Sequence, residues 1–245
     1  MIRDTGPVQP GRISRPVVGV DISRGSWVAV RLDADGRFDG AALAPTIAGI
    51  VADLGRDAAL IGIDVPIGLS DTGVRAADLA ARAALPGRAA SVFLTPVRAA
   101  LLEPDHAAAT RISREVTGAG ISRQAHGLRH KILDVDDFAP RSPVPLVEIH
   151  PELSFRRLGT AVIPVVVPGS KRSWSGIRQR IRLLAAAGID IGEDIGDAGR
   201  ECGPDDVLDA AAVAWSARRV LAGTADRFPA DGADPGTSGQ AVIFA

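Results

Sequence analysis

Asp21 closes the apolar run Val17-Val18-Gly19-Val20, and Asp64 closes Ala59-Leu60-Ile61-Gly62-Ile63. A carboxylate in a buried strand is unfavourable unless it is paired or bound to a cation. Two on neighbouring parallel strands would also repel each other. A divalent cation relieves both problems. Mg²⁺ and Mn²⁺ take carboxylate oxygens together with waters and phosphate oxygens. Two such ions about 3.5 to 4 Å apart can activate a water and stabilise the leaving oxygen of a phosphodiester. Local readings compete with this one: Asp21 could cap the turn at Ser23, and Asp64, before Val65-Pro66, could form an Asx-turn.

Further acids fit the same chemistry. Glu148 lies on a short apolar stretch beside His150 and Glu152. Asp205 and Asp206 open a helix, where capping and the helix dipole favour acids in any case. Asp209 lies beyond that first turn, so capping does not explain it. Residues 205, 206, 209, 212, 213 and 216 share a helical face rich in small side chains, which would let the helix approach a sheet and carry Asp209, with Asp206 or Asp205, toward Asp21. We therefore take Asp21, Asp64, Glu148 and Asp209 as candidate catalytic residues, with Asp21, Asp64, Asp206 and Asp209 as metal ligands. His150 could move protons or touch substrate, although a histidine before proline is often structural. There is no GxxxxGK[ST] loop, no GxSxG elbow and no CxxC pair, and without a Cys/His cluster carboxylates suit Mg²⁺ or Mn²⁺ better than zinc.

These side chains need a scaffold, and the order of elements supplies one. Val17 to Ile22 reads as a strand, Ser23 to Ser26 as a turn, Trp27 to Leu32 as a second strand and Arg37 to Leu43 as a third after Asp35-Gly36. Thr46 is placed to cap a helix reaching Leu54, with Gly55 closing it. The run Ala59 to Ile67 then needs a crossover to lie parallel in the sheet. Helices are expected from Val74 to Ala84 (capped by Asp71), Pro104 to Val116, Ile121 to Asp136, Trp174 to Ala187 and Pro204 to Ala222, with a strand at Leu146 to Ile149. Pro229 to Gln240 reads as a loop before the apolar end Ala241 to Phe244. The expected organisation is a flexible tail over 1–15 and one domain over 16–245, with a helical insertion over about 71–142.

Charge is uneven along the chain. Thr72 to Ile132 carries nine basic and four acidic residues, and Ala187 to Ala245 four basic and eleven acidic, within a net charge of −1. Arg75, Arg82, Arg88, Arg123 and Lys131 are candidate substrate-binding groups that could hold phosphates over the acidic site. Arg75, Asp78 and Arg82 fall at i, i+3 and i+7, so Asp78 could pair with the arginines instead. A solvated helix face explains the same run. The six Phe, three Trp and absent Tyr argue against a stacking platform for single strands. Trp215, on the last helix, is expected in the core.

With 245 residues, 46% hydrophobic and 23% charged, the chain can bury a sizeable core. Its single cysteine, Cys202, excludes an internal disulfide and suits a reducing compartment. The first fifteen residues lack the apolar core of a signal peptide, and no run approaches the roughly 18 to 20 apolar residues of a membrane span. A cytoplasmic protein without membrane contact is expected.

The three-strand meander, helix, parallel strand and later strand-plus-helix order resembles the ribonuclease H-like fold. In that fold, acids on the first strand, the fourth element and the last helix converge on divalent metal ions. Gly19-Val20-Asp21 with Gly25 and Trp27, Ile63-Asp64-Val65-Pro66-Ile67-Gly68-Leu69, Arg88 with Ser91-Val92-Phe93, Gly120-Ile121-Ser122-Arg123-Gln124, Lys131-Ile132, Glu148-Ile149-His150-Pro151-Glu152 with Phe155, Lys171, and Asp205-Asp206-Val207-Leu208-Asp209-Ala210 resemble the DUF429 family. Members are uncharacterised and described as predicted RNase H-like nucleases. The likeness covers residues 17 to 245, and Glu148 to Glu152 is its most specific part. Many relatives carry Asp-Gly-Cys where this chain has Asp21-Ile22-Ser23, a change in the loop that leaves the acid in place. The expectation is an α/β, ribonuclease H-like mixed sheet with a helical insertion, acting as a divalent-metal-dependent nuclease or phosphodiesterase on nucleic acid or a phosphorylated small molecule. The alternatives are a hydrolase or transferase for a small acidic substrate, an actin or sugar-kinase type phosphotransferase, and a non-catalytic binding protein.

Overall fold

A computed structural model of the chain describes residues 13–162, 170–230 and 241–245. Most of the expected tail (1–12) and of the expected loop (231–240) lies outside the described residues. Strands β1 (Val17–Ser23), β2 (Ser26–Leu32) and β3 (Phe38–Ala44) form the antiparallel meander. Arg24 and Gly25 both take positive φ, 49° and 87°, the backbone that a two-residue hairpin requires. Thr46 caps α1 (Ile47–Ile50), its hydroxyl accepting from Gly49 N at 3.2 Å. The expected helix then changes to a π-helical turn over Val51–Gly55.

Strand β4 (Leu60–Ile63) pairs parallel with β1. It is shorter than the apolar run suggested: Asp64 N still donates to Val20 O at 3.0 Å, but Pro66 has no N–H to continue the ladder. Helices α2 (Ala76–Ala83), α3 (Arg98–Leu102), α4 (His106–Thr117), α5 (Arg123–Gly127) and α6 (Arg129–Phe138) come between β4 and β5 (Leu146–Ile149). Two local expectations are corrected here. Asp71 does not cap α2, whose N-cap position is Arg75; Asp71 is exposed and 3.5 Å from Arg98. The expected helix Ile121 to Asp136 is two, meeting at Leu128.

Next come α7 (Pro151–Val162), absent from the sequence reading, then α8 (Trp174–Ala186), α9 (Asp197–Glu201), α10 (Pro204–Leu221), β6 (Arg227–Phe228) and β7 (Ile243–Phe244). The sheet runs β3-β2-β1-β4-β5-β7-β6, parallel from β1 through β4 and β5 to β7 and antiparallel at both edges. This is a mixed α/β sheet of ribonuclease H-like type. Among the described residues no helix is long and apolar enough to cross a membrane.

The period of two in the strands sorts side chains between two cores. Val17, Val28, Val30, Leu32, Leu60 and Ile149 pack with α7, α8 and α10. Val18, Val20, Trp27, Ala29, Ile61 and Ile63 pack on the other face with α1 and α6. Helix α10 is buried from Val207 to Ala214 and therefore apolar nearly all round, as a central helix should be. Gly19 and Gly62 face each other in the β1–β4 register. A Cβ at Gly19 would lie 2.1 Å from Ala210 O, and one at Gly62 2.9 Å from Val213 Cγ1. Helix α10 therefore rests on the backbone of the two central strands. Trp215 is only half-buried, with the Arg219 guanidinium 4.9 Å over its ring.

Candidate functional site

The close approach of α10 decides what Asp21 meets. By strand alternation Asp21 follows Val17 and Gly19 onto the α10 side of β1, and Asp64 follows Leu60 and Gly62 onto the same side of β4. The two acids thus follow the last parallel pair, Val20 and Ile63, on the α10 side, with Asp209 of α10 close by. Asp21 is buried and accepts from Ile22 N at 2.7 Å. Asp64 is half-buried, and its carboxylate accepts no hydrogen bond among the described residues.

Electrostatics link these groups. Burial, then the charges of Asp64 and Asp209, push the Asp21 carboxyl well above the usual range, against the pull of Lys171 and Ile22 N–H. Burial and Asp209 push Asp64 up to about 8, with Lys171 opposing. Burial also raises Asp209, opposed by Lys171 and Arg180. Asp209 is fully buried but not uncompensated: Lys171 Nζ donates to it at 2.7 Å, and the buried Arg180 of α8 pairs with its other oxygen. Arg180 also donates to Glu152 at 2.6 Å and lies 4.3 Å over the Phe155 ring. Burial opposes the Lys171 charge, but Asp209, Asp21 and Asp64 outweigh it and raise its pKa.

Asp21, Asp64, Asp206, Asp209, Glu148, His150, Glu152, Lys171 and Arg172 all line one cleft of about 500 Å³. Asp206, in the first turn of α10, is raised by burial and lowered by the Ser23 hydroxyl. Glu148 lies in the cleft wall but is out of phase with the other acids. Val147 and Ile149 take the α10 side of β5, leaving Glu148 on the opposite side with Leu146. There it accepts from Arg75 at 2.7 and 2.9 Å and from Ile67 N at 2.8 Å.

The basic residues singled out in the sequence are not among those lining this cleft. Arg75 is buried and clamped between Asp78 (2.6 Å) and Glu148. Arg82 donates to Val92 O at 3.1 Å, and Arg88 pairs with Glu152 at 2.9 Å. Arg123 is exposed at the start of α5. Lys131 donates to Pro45 O at 2.7 Å and lies 4.8 Å over the Trp27 ring, on the α6 side. The expectation that Arg75, Arg82, Arg88 and Arg123 would face the cleft is thus corrected. Three of them are engaged by nearby carboxylates or a carbonyl, and Arg123 lies on an outer helix end.

The cations in the cleft are instead Lys171 and the exposed Arg172, with Arg180 behind Asp209. Arg180 had a readable signal. On α8 it falls at i+3 from Ile177 and i−4 from Leu184, on the apolar face. Lys171 lies on the approach to α8, where spacing gives no clue.

Among the described residues no three His, Cys, Asp or Glu side chains are grouped so that they could hold a metal ion. The donor set suits a lighter arrangement. Mg²⁺ is commonly held by one or two carboxylates plus waters and substrate phosphate. Asp21 and Asp64 are two hard oxygen donors of this kind, each carboxyl raised first by burial and then by neighbouring carboxylates. The oxygens of Asp209 are occupied by Lys171 and Arg180.

Comparisons with curated proteins and with solved structures give no match. A family model described as protein of unknown function (DUF429) matches residues 19–234, and with α10 and all of its cleft acids inside that span, the chain belongs to the DUF429 family.

Proposed function

We propose that the protein is a divalent-metal-dependent phosphodiesterase with nuclease-type chemistry. The observation that carries this reading is the Asp21–Asp64 pair, each acid following the last parallel pair Val20–Ile63, with both carboxyls raised by burial and by neighbouring carboxylates. Such a pair holds a proton or a cation near neutral pH. In this reading Asp21 and Asp64 hold Mg²⁺ or Mn²⁺, which when bound supplies a Lewis acid and an activated water. Asp209 anchors Lys171 at the rim, and Lys171 with Arg172 attracts the phosphate. Arg180 keeps Asp209 from adding its full charge to the centre.

A calorimetric titration with Mn²⁺ tests the first half. Binding should release protons, seen as a heat that changes with the ionisation enthalpy of the buffer. Mn²⁺-dependent hydrolysis of bis(4-nitrophenyl) phosphate tests the second. Asp21→Asn keeps the shape, removes the charge and should lower the rate at least about a thousandfold. A variant as active as the wild type would overturn the assignment. The Lys171–Asp209–Arg180 bridges also favour a second reading, a binding protein whose acids are structural. Absence of Mn²⁺ binding in the calorimeter selects it.

A further inference from the structure

The cleft has a floor and two walls. Its floor is the strand ends at Asp21, Ile22 and Asp64. One wall is the helical segment between β4 and β5, through Ser91, Phe93, Thr95 and Gln124, and the other is Lys171, Arg172 and α10. The cleft volume of about 500 Å³ is that of a small-ligand pocket. A duplex needs an unobstructed path along its backbone.

Two side-chain atoms of wall residues have no hydrogen-bond partner among the described residues. Thr95 is 4% exposed and its Oγ1 is buried without a hydrogen bond, although its backbone N–H is taken by Asp78 at 2.7 Å. His150 Nδ1 is likewise buried and unpartnered. Its Nε2 faces the Ser91 carbonyl at 3.4 Å, so the neutral ring donates there and leaves Nδ1 as a bare acceptor. Buried polar atoms normally find partners. Two orphans in the wall of one cleft mark where a bound molecule supplies them.

We infer that the cleft takes a small hydroxyl-bearing phosphodiester, of dinucleotide size or less, with its hydroxyls on Thr95 Oγ1 and His150 Nδ1 and its phosphate between the Asp21–Asp64 pair and Lys171 and Arg172. The choice of a phosphodiester rests on the function proposed above; the size and the hydroxyls rest on the walls. A nucleic-acid strand threading past the site is the alternative.

Binding and turnover separate the two. Calorimetry on the Asp21→Asn chain uses the dinucleoside monophosphate uridylyl-uridine and a 20-base-pair DNA duplex as probes. Uridylyl-uridine should bind at one site, at least about tenfold tighter than the duplex, and Thr95→Val in that background should weaken it about tenfold, the scale of one lost buried hydrogen bond. In turnover assays with Mn²⁺, Thr95→Val should reduce kcat/KM for uridylyl-uridine more than for bis(4-nitrophenyl) phosphate, which carries no hydroxyl. Tighter binding of the duplex, or equal losses on both esters, overturns the inference and leaves the phosphodiesterase reading standing. Threonine-dependent binding of uridylyl-uridine without hydrolysis of any ester supports the inference and overturns the phosphodiesterase reading.

Discussion

Asp64 shows how one residue links stability to function. Its carboxyl is raised from 3.8 to about 8, first by burial and then by Asp209. A group with a raised folded pKa contributes stability that is present below its unfolded pKa and lost as pH rises through the folded one. Metal-free wild type and Asp64→Asn should therefore melt alike near pH 4. The variant should gain several degrees over wild type as pH rises towards 8, and added Mn²⁺ should close that gap by stabilising wild type alone. Differential scanning fluorimetry across this range checks it, and a gap that does not change with pH would contradict the electrostatic account. Arg75 makes the opposite point. Burial works against its charge, but Glu148 and Asp78 hold it charged, so a residue that reads as a phosphate ligand is an internal strut.

At the scale of elements, the contact of α10 with β1 and β4 governs the site. Only glycine lets the helix backbone come this near, because a methyl at Gly19 would overlap Ala210 O and Ala214 N. Gly19→Ala should destabilise the protein by about 2 to 4 kcal/mol, since the obstacle is helix backbone that cannot swing aside. Because Gly19 lies on β1 two residues before Asp21, Mn²⁺ affinity should fall as well. Gly73→Ala, with open space around the added Cβ, is the matched control and should change neither. Denaturant midpoints and calorimetry of the two variants decide the matter; equal stability would mean that the helix can shift without cost.

Over the whole molecule, stability is unevenly shared. The central strands and α10 bury two large cores on either side of the sheet. The segment between β4 and β5 adds a small separate cluster of Val97, Ala100, Ala109, Ile121 and Ala125. Sub-global opening follows the smaller core. Amides of α4 and α5 should exchange with deuterium well before those of β1, β4 and α10, and a small ester bound against Thr95 and Gln124 should slow them. Uniform exchange across the chain would show a single cooperative unit instead.

Much of this architecture was legible in local patterns. The apolar runs located β1, β2, β4 and β5, Asp35-Gly36 announced the hairpin, and Pro204 with Gly223 bracketed α10. The interrupted apolar runs also drew attention to Asp21 and Asp64, because a charge among buried valines and isoleucines is visible in one dimension. Helix α7 was missed: it begins directly after β5 at Pro151, with no linker to announce it. What the chain alone could not decide was partnership. Glu148 looked equivalent to Asp64 until strand parity placed it on the other side with Arg75, and the basic run looked like a phosphate clamp until its members found nearer acceptors. Lys171 and Arg180 become partners of Asp209 through packing of α8 on α10, across 38 and 29 positions of sequence. Burial and alternation are local properties, written residue by residue. Which charge neutralises which is set by distances across the fold, and those exist only once the helices have closed over the sheet.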